Sequence, residues 1–271
     1  MKFPYYAFLS LFLVTCYSKP KAVQDSVVDT QDKPPKTIMA IFAHPDDETT
    51  IGPVLAKYAP LSDVYLVVAT DGRYGITDHS GLPAGDSLVS VRTEETNCAC
   101  KELGINPPHF LDAKDGLGLN GNHNFYEEVG SLKNHIKEKI SELNPDVILT
   151  FGPDGDTGHP DHRLVGVLTL EILLREGWGN KIDLYHFGWT KEQTSKFPED
   201  WGLGYVNKDY LNTSIKFSPE DEEKAFASLR CHKSQFPEKE MTDWIEAEHN
   251  DTANILYFRK FSLDTSNYDH L

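Results

Sequence analysis

The sequence predicts a single α/β domain, a Rossmann-like three-layer sandwich built around a mostly parallel sheet. Runs of β-branched and apolar residues of strand length alternate with amphipathic stretches of helix length, the pattern of consecutive βαβ units. A chain of 271 residues with 39% hydrophobic side chains has enough apolar material for the core of one substantial domain. The two clusters richest in reactive side chains stand just beyond two of the strand-like runs, at the carboxyl ends where open sheets of this kind form their sites.

Residues 1–15 hold one basic residue, Lys2, followed by the apolar run 7–14, and read as an export signal. That run is well short of the roughly 20 apolar residues a membrane-spanning helix needs. Leu13-Val14-Thr15-Cys16 resembles the lipobox of bacterial lipoproteins, which makes Cys16 a candidate lipid anchor. Thr15 stands where Gly, Ala or Ser is usual, so plain secretion is the alternative. Residues 16–35, rich in Lys, Asp, Gln and Pro, read as a flexible tether, and the domain is expected over 36–271.

Within it, strands are expected at 37–42, 64–69, 109–111, 147–151 and 182–187, the first four followed by helical patterns that end with 161–175. The stretch 190–208 has no clear period and reads as a long surface loop, the segment expected to choose a substrate. Residues 221–234 have helical spacing, and 254–261 reads as a closing strand. The net charge of −16 argues against nucleic acid and against an anionic membrane surface, leaving a membrane to be met only through a lipid at Cys16. Cys98, Cys100 and Cys231 lack the spacing of a disulfide framework and read as buried thiols. Cys98 and Cys100, two apart on a predicted helix, face different ways and do not suit a shared metal.

The chemistry concentrates in Ala43-His44-Pro45-Asp46-Asp47-Glu48 and Gly158-His159-Pro160-Asp161-His162. A catalytic zinc takes three protein ligands and keeps a position open for water, and His44, Asp47 and His162 could be those three. Asp46 then stands beside that water, where a carboxylate can take its proton. Asp46, Asp47 and Asp161 could instead be helix caps. Caps, however, do not require His, and two such clusters at equivalent strand ends favour metal chemistry. His123, His135, His186, His249 and His270 have no such company.

With both motifs intact, the chain resembles the LmbE-like, or PIG-L, zinc-dependent N-acetylglucosaminyl deacetylases. Thr70-Asp71-Gly72-Arg73-Tyr74-Gly75, Arg92-Thr93-Glu94-Glu95, Asn144-Pro145-Asp146 and His232-Lys233-Ser234-Gln235 fit the same family in order, over about 36–261. The resemblance implies His44, Asp47 and His162 as metal ligands and Asp46 as general base. It implies that His159 stabilises the oxyanion and protonates the leaving amine. Asp161 would orient a His through its other nitrogen. Arg73, Arg92 and Asp115 are the candidate substrate contacts, with structural alternatives: an Arg92–Glu95 pair at helical spacing, and a turn shaped by Asp115. His232 and Gln235 close the pocket or pack in the core, and Trp189 and Trp201 stack on a sugar or lie buried.

The implied reaction is hydrolysis of the acetamide of an N-acetylglucosamine-type sugar or glycoconjugate by water activated at the metal. Zinc is the default ion, with iron or another divalent metal open to the same ligands. Two alternatives remain: deacylation of a non-glycan amide, and a catalytically silent, metal-containing glycan-binding lipoprotein. Intact Asp46 and His159 argue against the second.

Overall fold

The computed structural model describes residues 36–117 and 125–261. The expected signal 1–15, Cys16, the tether 16–35, His123 and His270 lie outside the described residues. The strands are β1 (Thr37–Phe42), β2 (Asp63–Thr70), β3 (His109–Ala113), β4 (Val147–Phe151), β5 (Asp183–Phe187), β6 (Thr213–Lys216) and β7 (Ile255–Phe261). They form one sheet in the order β3-β2-β1-β4-β5-β7-β6. The first five named in that order pair in parallel, and β7 and β6 close the edge antiparallel.

Helices cover both faces, as an apolar parallel sheet requires. In β1, Ile38, Ala40 and Phe42 point into a core shared with α1 (Gly52–Tyr58), α2 (Asp86–Leu103) and α6 (Pro219–Leu229). Met39 and Ile41 point into a second core with α3 (Phe125–Leu143) and α4 (Pro160–Arg175). The helix ends follow local chemistry. Gly104 ends α2 in a left-handed turn at φ 75°, donating back to the Cys100 and Lys101 carbonyls. Ser218 and Asp221 form a capping box ahead of α6, with Pro219 in its first turn.

Three expectations are corrected. The stretch 190–208 contains the short helix α5 (Lys191–Thr194) and 3-10 turns at Glu199–Trp201 and Lys208–Tyr210. It is fastened to the domain by buried Phe197, which packs on Trp189, Trp201 and Trp244. Trp189 is only 2% exposed, so the buried alternative describes it, while Trp201 is half-buried with its ring tilted against Phe197 and Trp244. The helical pattern at 221–234 ends at Leu229, while β6 and α7 (Glu238–His249) form where no element was expected. Both are edge elements, with no fully buried residue in β6 and only Ala247 in α7, so no apolar period announces them.

Cys98 and Cys231 are not thiols. They form a disulfide across 133 residues with Cα atoms 5.8 Å apart, joining α2 to the turn after α6. Among the described cysteines Cys100 is the free one, a buried thiol that burial pushes up from its ordinary value. No helix among the described residues is long and apolar enough to cross a membrane.

Candidate active site and metal centre

The strand order reverses between β1 and β4, and the crevice at such a switch point is where open α/β sheets bind ligands. The loops leaving these two strands carry the two reactive clusters. Between them opens a cleft of about 460 Å³, whose wall includes His44, Asp46, Asp47, Asp115, His159 and His162.

Asp47 is aimed by the backbone beneath it. Its Oδ2 accepts from the N–H groups of Ala43 at 2.9 Å and His44 at 2.8 Å, which turns Oδ1 to within 3.1 Å of His162 Nε2. His44 Nδ1 lies 3.2 Å from that same Nε2 and 3.6 Å from Asp47 Oδ2. Four donors around a tetrahedral ion with bonds of about 2.0–2.1 Å stand about 3.3–3.4 Å apart. The separations around His44, Asp47 and His162 lie near that spacing, with Asp47 facing His162 through Oδ1 and His44 through Oδ2. Two imidazoles and a carboxylate are a borderline donor set that suits zinc and several other divalent ions.

The outer nitrogens are held too. His162 Nδ1 meets the Gly155 carbonyl at 3.1 Å, and Phe151, the last residue of β4, stacks flat on the ring at 4.1 Å. His44 Nε2 lies 3.2 Å from Asp115 Oδ1 and 3.5 Å from Asp161 Oδ2. Such partners fix the tautomer and raise the basicity of a ligating His. The nitrogens of His44, His159 and His162 also fall within 4.8 Å of one another, as do ligand atoms of His44, Asp115 and Asp161. The second set lies on the far nitrogen of His44, so a ring that binds an ion through Nδ1 uses Nε2 for those carboxylates.

Charges follow this packing. Burial works against a charged His44, but Asp47, Asp115 and Asp161 outweigh it and hold the imidazole well above its usual range. Burial likewise opposes the Asp47 carboxylate, yet His162 and His44 hold it well below the ordinary value. Groups that favour a proton between them favour a metal cation in its place. Burial pushes Asp46 up to about 6, Arg92 opposing and Asp47 adding to the push. His159 is lowered by burial and by the neighbouring His44 and His162. As the residue before α4, it accepts from Asp161 N through Nδ1 at 3.2 Å, which places its proton on Nε2.

The expected substrate residues sit differently. Arg92 is 3% exposed; Nη1 donates to Gly72 O at 3.0 Å, and Nη2 donates to Pro45 O and pairs with Asp46 Oδ1 at 3.0 Å. That engagement makes it a brace for Asp46, and Arg92 also stands among the residues lining the cleft. Gly72, at φ 63°, must lack a side chain because a Cβ would stand 2.4 Å from Arg92 Nη1. Glu95 does not pair with Arg92; it accepts from Ser234 N at 2.7 Å and Ser234 Oγ at 2.6 Å.

Arg73 binds Asp71 at 2.7 Å and reaches Asp86 at 3.3 Å, while its neighbour Tyr74, 51% exposed, forms the cleft wall. Asp115 is buried, accepting from Gly116 N at 2.7 Å and Tyr74 N at 3.1 Å, and serves His44 as much as its turn. Asp161 is fully buried and accepts from Gly116 N at 3.1 Å and Leu117 N at 3.3 Å. Gln235 lines the cleft and donates to Gly75 O at 3.0 Å, and His232 lies behind it against Glu48. Glu48 and Asp156 were not singled out in the sequence, although Glu48 stands in the first motif.

The family model described as PIG-L, GlcNAc-PI de-N-acetylase, matches residues 39–173. The 1D-myo-inositol 2-acetamido-2-deoxy-alpha-D-glucopyranoside deacetylase of Rhodococcus erythropolis is 30% identical over 201 residues, covering 62% of this chain and 68% of the relative. A protein of the same description from Kineococcus radiotolerans is 31% identical over 163 residues, 52% of this chain, and the match spans 45% of that relative's length. Among solved structures, the N,N'-diacetylchitobiose deacetylase of Pyrococcus horikoshii aligns over 84% of this chain and 85% of its own. Its TM-score of 0.59 at 22% identity is a likeness of fold.

Proposed function

We propose that this chain, which belongs to the PIG-L family, is a metal-dependent deacetylase that removes the acetyl group from an N-acetylglucosamine-type sugar. The observation that carries the reading is the tight triangle of His44, Asp47 and His162 donors with the Asp46 carboxyl and the His159 ring beside it. A divalent ion held there, zinc by default and iron as the alternative, supplies Lewis-acid polarisation of the amide carbonyl and lowers the pKa of water.

This chain's own groups carry the rest. Asp46, held by Arg92, takes the proton of the attacking water. His159 presents Nε2–H to the oxyanion that forms at the acetyl carbon, and the proton that Asp46 took from the water passes to the departing amine. Asp115 and Asp161 keep the far nitrogen of His44 a donor, so the ring faces the ion by Nδ1. The relatives' descriptions name acetylated glucosamine compounds, which supports that substrate class.

The test is acetate release from a panel of N-acetylglucosamine compounds, using residues 19–271, with a chelator and Asp46→Asn as controls. We expect the chelator to abolish turnover and Asp46→Asn to lower kcat by about 10²–10⁴ while keeping its metal. A wild-type protein with stoichiometric metal and no acetate release on any compound returns the weight to a non-glycan amide or to the silent glycan-binding reading.

We also propose export, with a lipid on Cys16. The Cys98–Cys231 bridge supports an oxidising compartment, where such bonds persist. Fractionation of cells expressing the full chain should find the wild type with membranes and Cys16→Ser in the soluble export fraction. Equal distribution of the two rejects the lipid.

A further inference from the structure

Asp46 occupies a backbone conformation that a non-glycine residue seldom holds, φ 105° and ψ −22°. Such a conformation persists only where the surroundings over-determine it. Its carbonyl accepts from Thr49 N at 3.0 Å and Thr49 Oγ1 at 2.7 Å, and its side chain meets Arg92. Its own N–H donates to Glu48 Oε2 at 3.2 Å. The other oxygen of Glu48 is paired with His232 Nε2 at 2.5 Å, and both side chains are 0% exposed. The contact with His232 holds the Glu48 carboxyl inward, with Oε2 left for the Asp46 N–H.

His232 is itself fastened to one helix. Arg92, Glu95 and Cys98 stand three apart on α2 and so share a face. Arg92 grips Asp46 directly, Glu95 holds Ser234, and Cys98 bonds to Cys231, the residue before His232. The helix therefore approaches the general base along two routes, one through a guanidinium and one through His232 and Glu48.

We propose that Glu48 and His232 are positioning residues for Asp46: the pair holds the base's backbone N–H and keeps its carboxyl turned to the cleft in the left-handed conformation. This inference rests on the reading of Asp46 as general base. Glu48 is not among the residues lining the cleft and meets Asp46 at its backbone N–H, so its removal should spare binding and tell on turnover.

The test compares Glu48→Gln, Glu48→Asp and Glu48→Leu with wild type for kcat, KM, metal per chain and thermal midpoint. Gln keeps an oxygen for Asp46 N and, with the His232 proton moved to Nδ1, a donor for His232 Nε2, and should retain kcat to within about threefold. Asp keeps the charge but withdraws the oxygen from Asp46, and Leu removes both contacts. For these two we expect kcat to fall about a hundredfold, the cost of a small misplacement of a catalytic group, with KM and metal content unchanged. Should Leu fail to fold, the Asp and Gln variants decide between themselves. Equal kcat in Asp and Gln, or a loss that travels with metal content or KM, overturns the positioning role. Wild-type protein that is inactive on every sugar removes the deacetylase reading instead, so the two failures are distinct.

Discussion

The loop after β1 and the loop after β4 deliver the same kind of cargo, an imidazole aimed at one point, by opposite means. The first is short and held by buried charge: Asp46 on Arg92, Glu48 on His232, Asp47 on His162. The second is longer and held by backbone. Gly155, Asp156 and Gly158 take left-handed φ values of 69°, 61° and 81°, and Gly155 and Gly158 donate to the carbonyls of Gly152 and Gly155 at 3.0 and 3.1 Å. Its tie to His162 is a main-chain carbonyl, and its tie to the stretch 190–208 is Gly204 N on Asp156 O at 2.7 Å. The first loop therefore depends on the identity of its side chains, because removing one partner of a buried pair strands the other. The second depends mainly on shape, with one buried side-chain tie, Trp189 Nε1 donating to Asp156 Oδ1 at 2.9 Å.

The sharpest test of the second loop is acid. His186 on β5 packs at the root of that loop, its Cβ 3.6 Å from where a Cβ on Gly152 would be. Its Nε2 is buried without a partner, and burial, with Arg259 adding to it, pushes the imidazole down to about 4. Since the folded pKa lies below the unfolded value of about 6.5, this neutral ring contributes its full stability above pH 6.5 and loses it as pH falls toward 4. The loss is on the order of 3 kcal/mol. Urea unfolding of wild type and His186→Leu at pH 7 and pH 4 should show that much less acid sensitivity in the variant. Parallel curves for the two would mean that His186 is not held neutral, and that the second loop has a charged support after all.

The same contrast explains what could be read from the chain alone. The strands of the parallel sheet were legible because both faces are buried, which makes runs such as 37–42 and 147–151 apolar throughout. The candidate site was legible as a place because each of the two strand ends carries His beside Asp, and a helix cap does not require His. What holds them was less so. Arg92 read either as a substrate contact or as a partner of Glu95 at helical spacing, because nothing local reveals Asp46 and Pro45 across 46 and 47 positions. The Cys98–Cys231 bond and the Glu48–His232 pair span 133 and 184 residues, separations at which spacing carries no signal. The reverse holds for 190–208: its missing period suggested a free loop, but irregular backbone can be as firmly seated as a helix when aromatic side chains anchor it.

That seating offers the way to break the comparison. A Cβ on Gly204 would stand 2.3 Å from the Asp156 carbonyl oxygen, a backbone atom that cannot step aside alone. Gly204→Ala should cost about 2 kcal/mol, the usual scale of overpacking, read from the urea midpoint. The shift should pass through Asp156 to Gly155, whose carbonyl orients His162, and weaken metal affinity by about tenfold, the lower end for a disturbed outer partner. At saturating metal kcat should stay near wild type, because Asp46 is held from α2 and not from this side. Gly202→Ala is the control: its φ of 66° strains a side chain through the backbone alone, because a Cβ there meets nothing within 4 Å. It should lose about 1 kcal/mol and no metal affinity. If Gly204→Ala instead lowers kcat at full metal occupancy as far as Glu48→Leu is expected to, the two loops are not separately supported. The base would then depend on the backbone of the second loop as much as on the charges of the first.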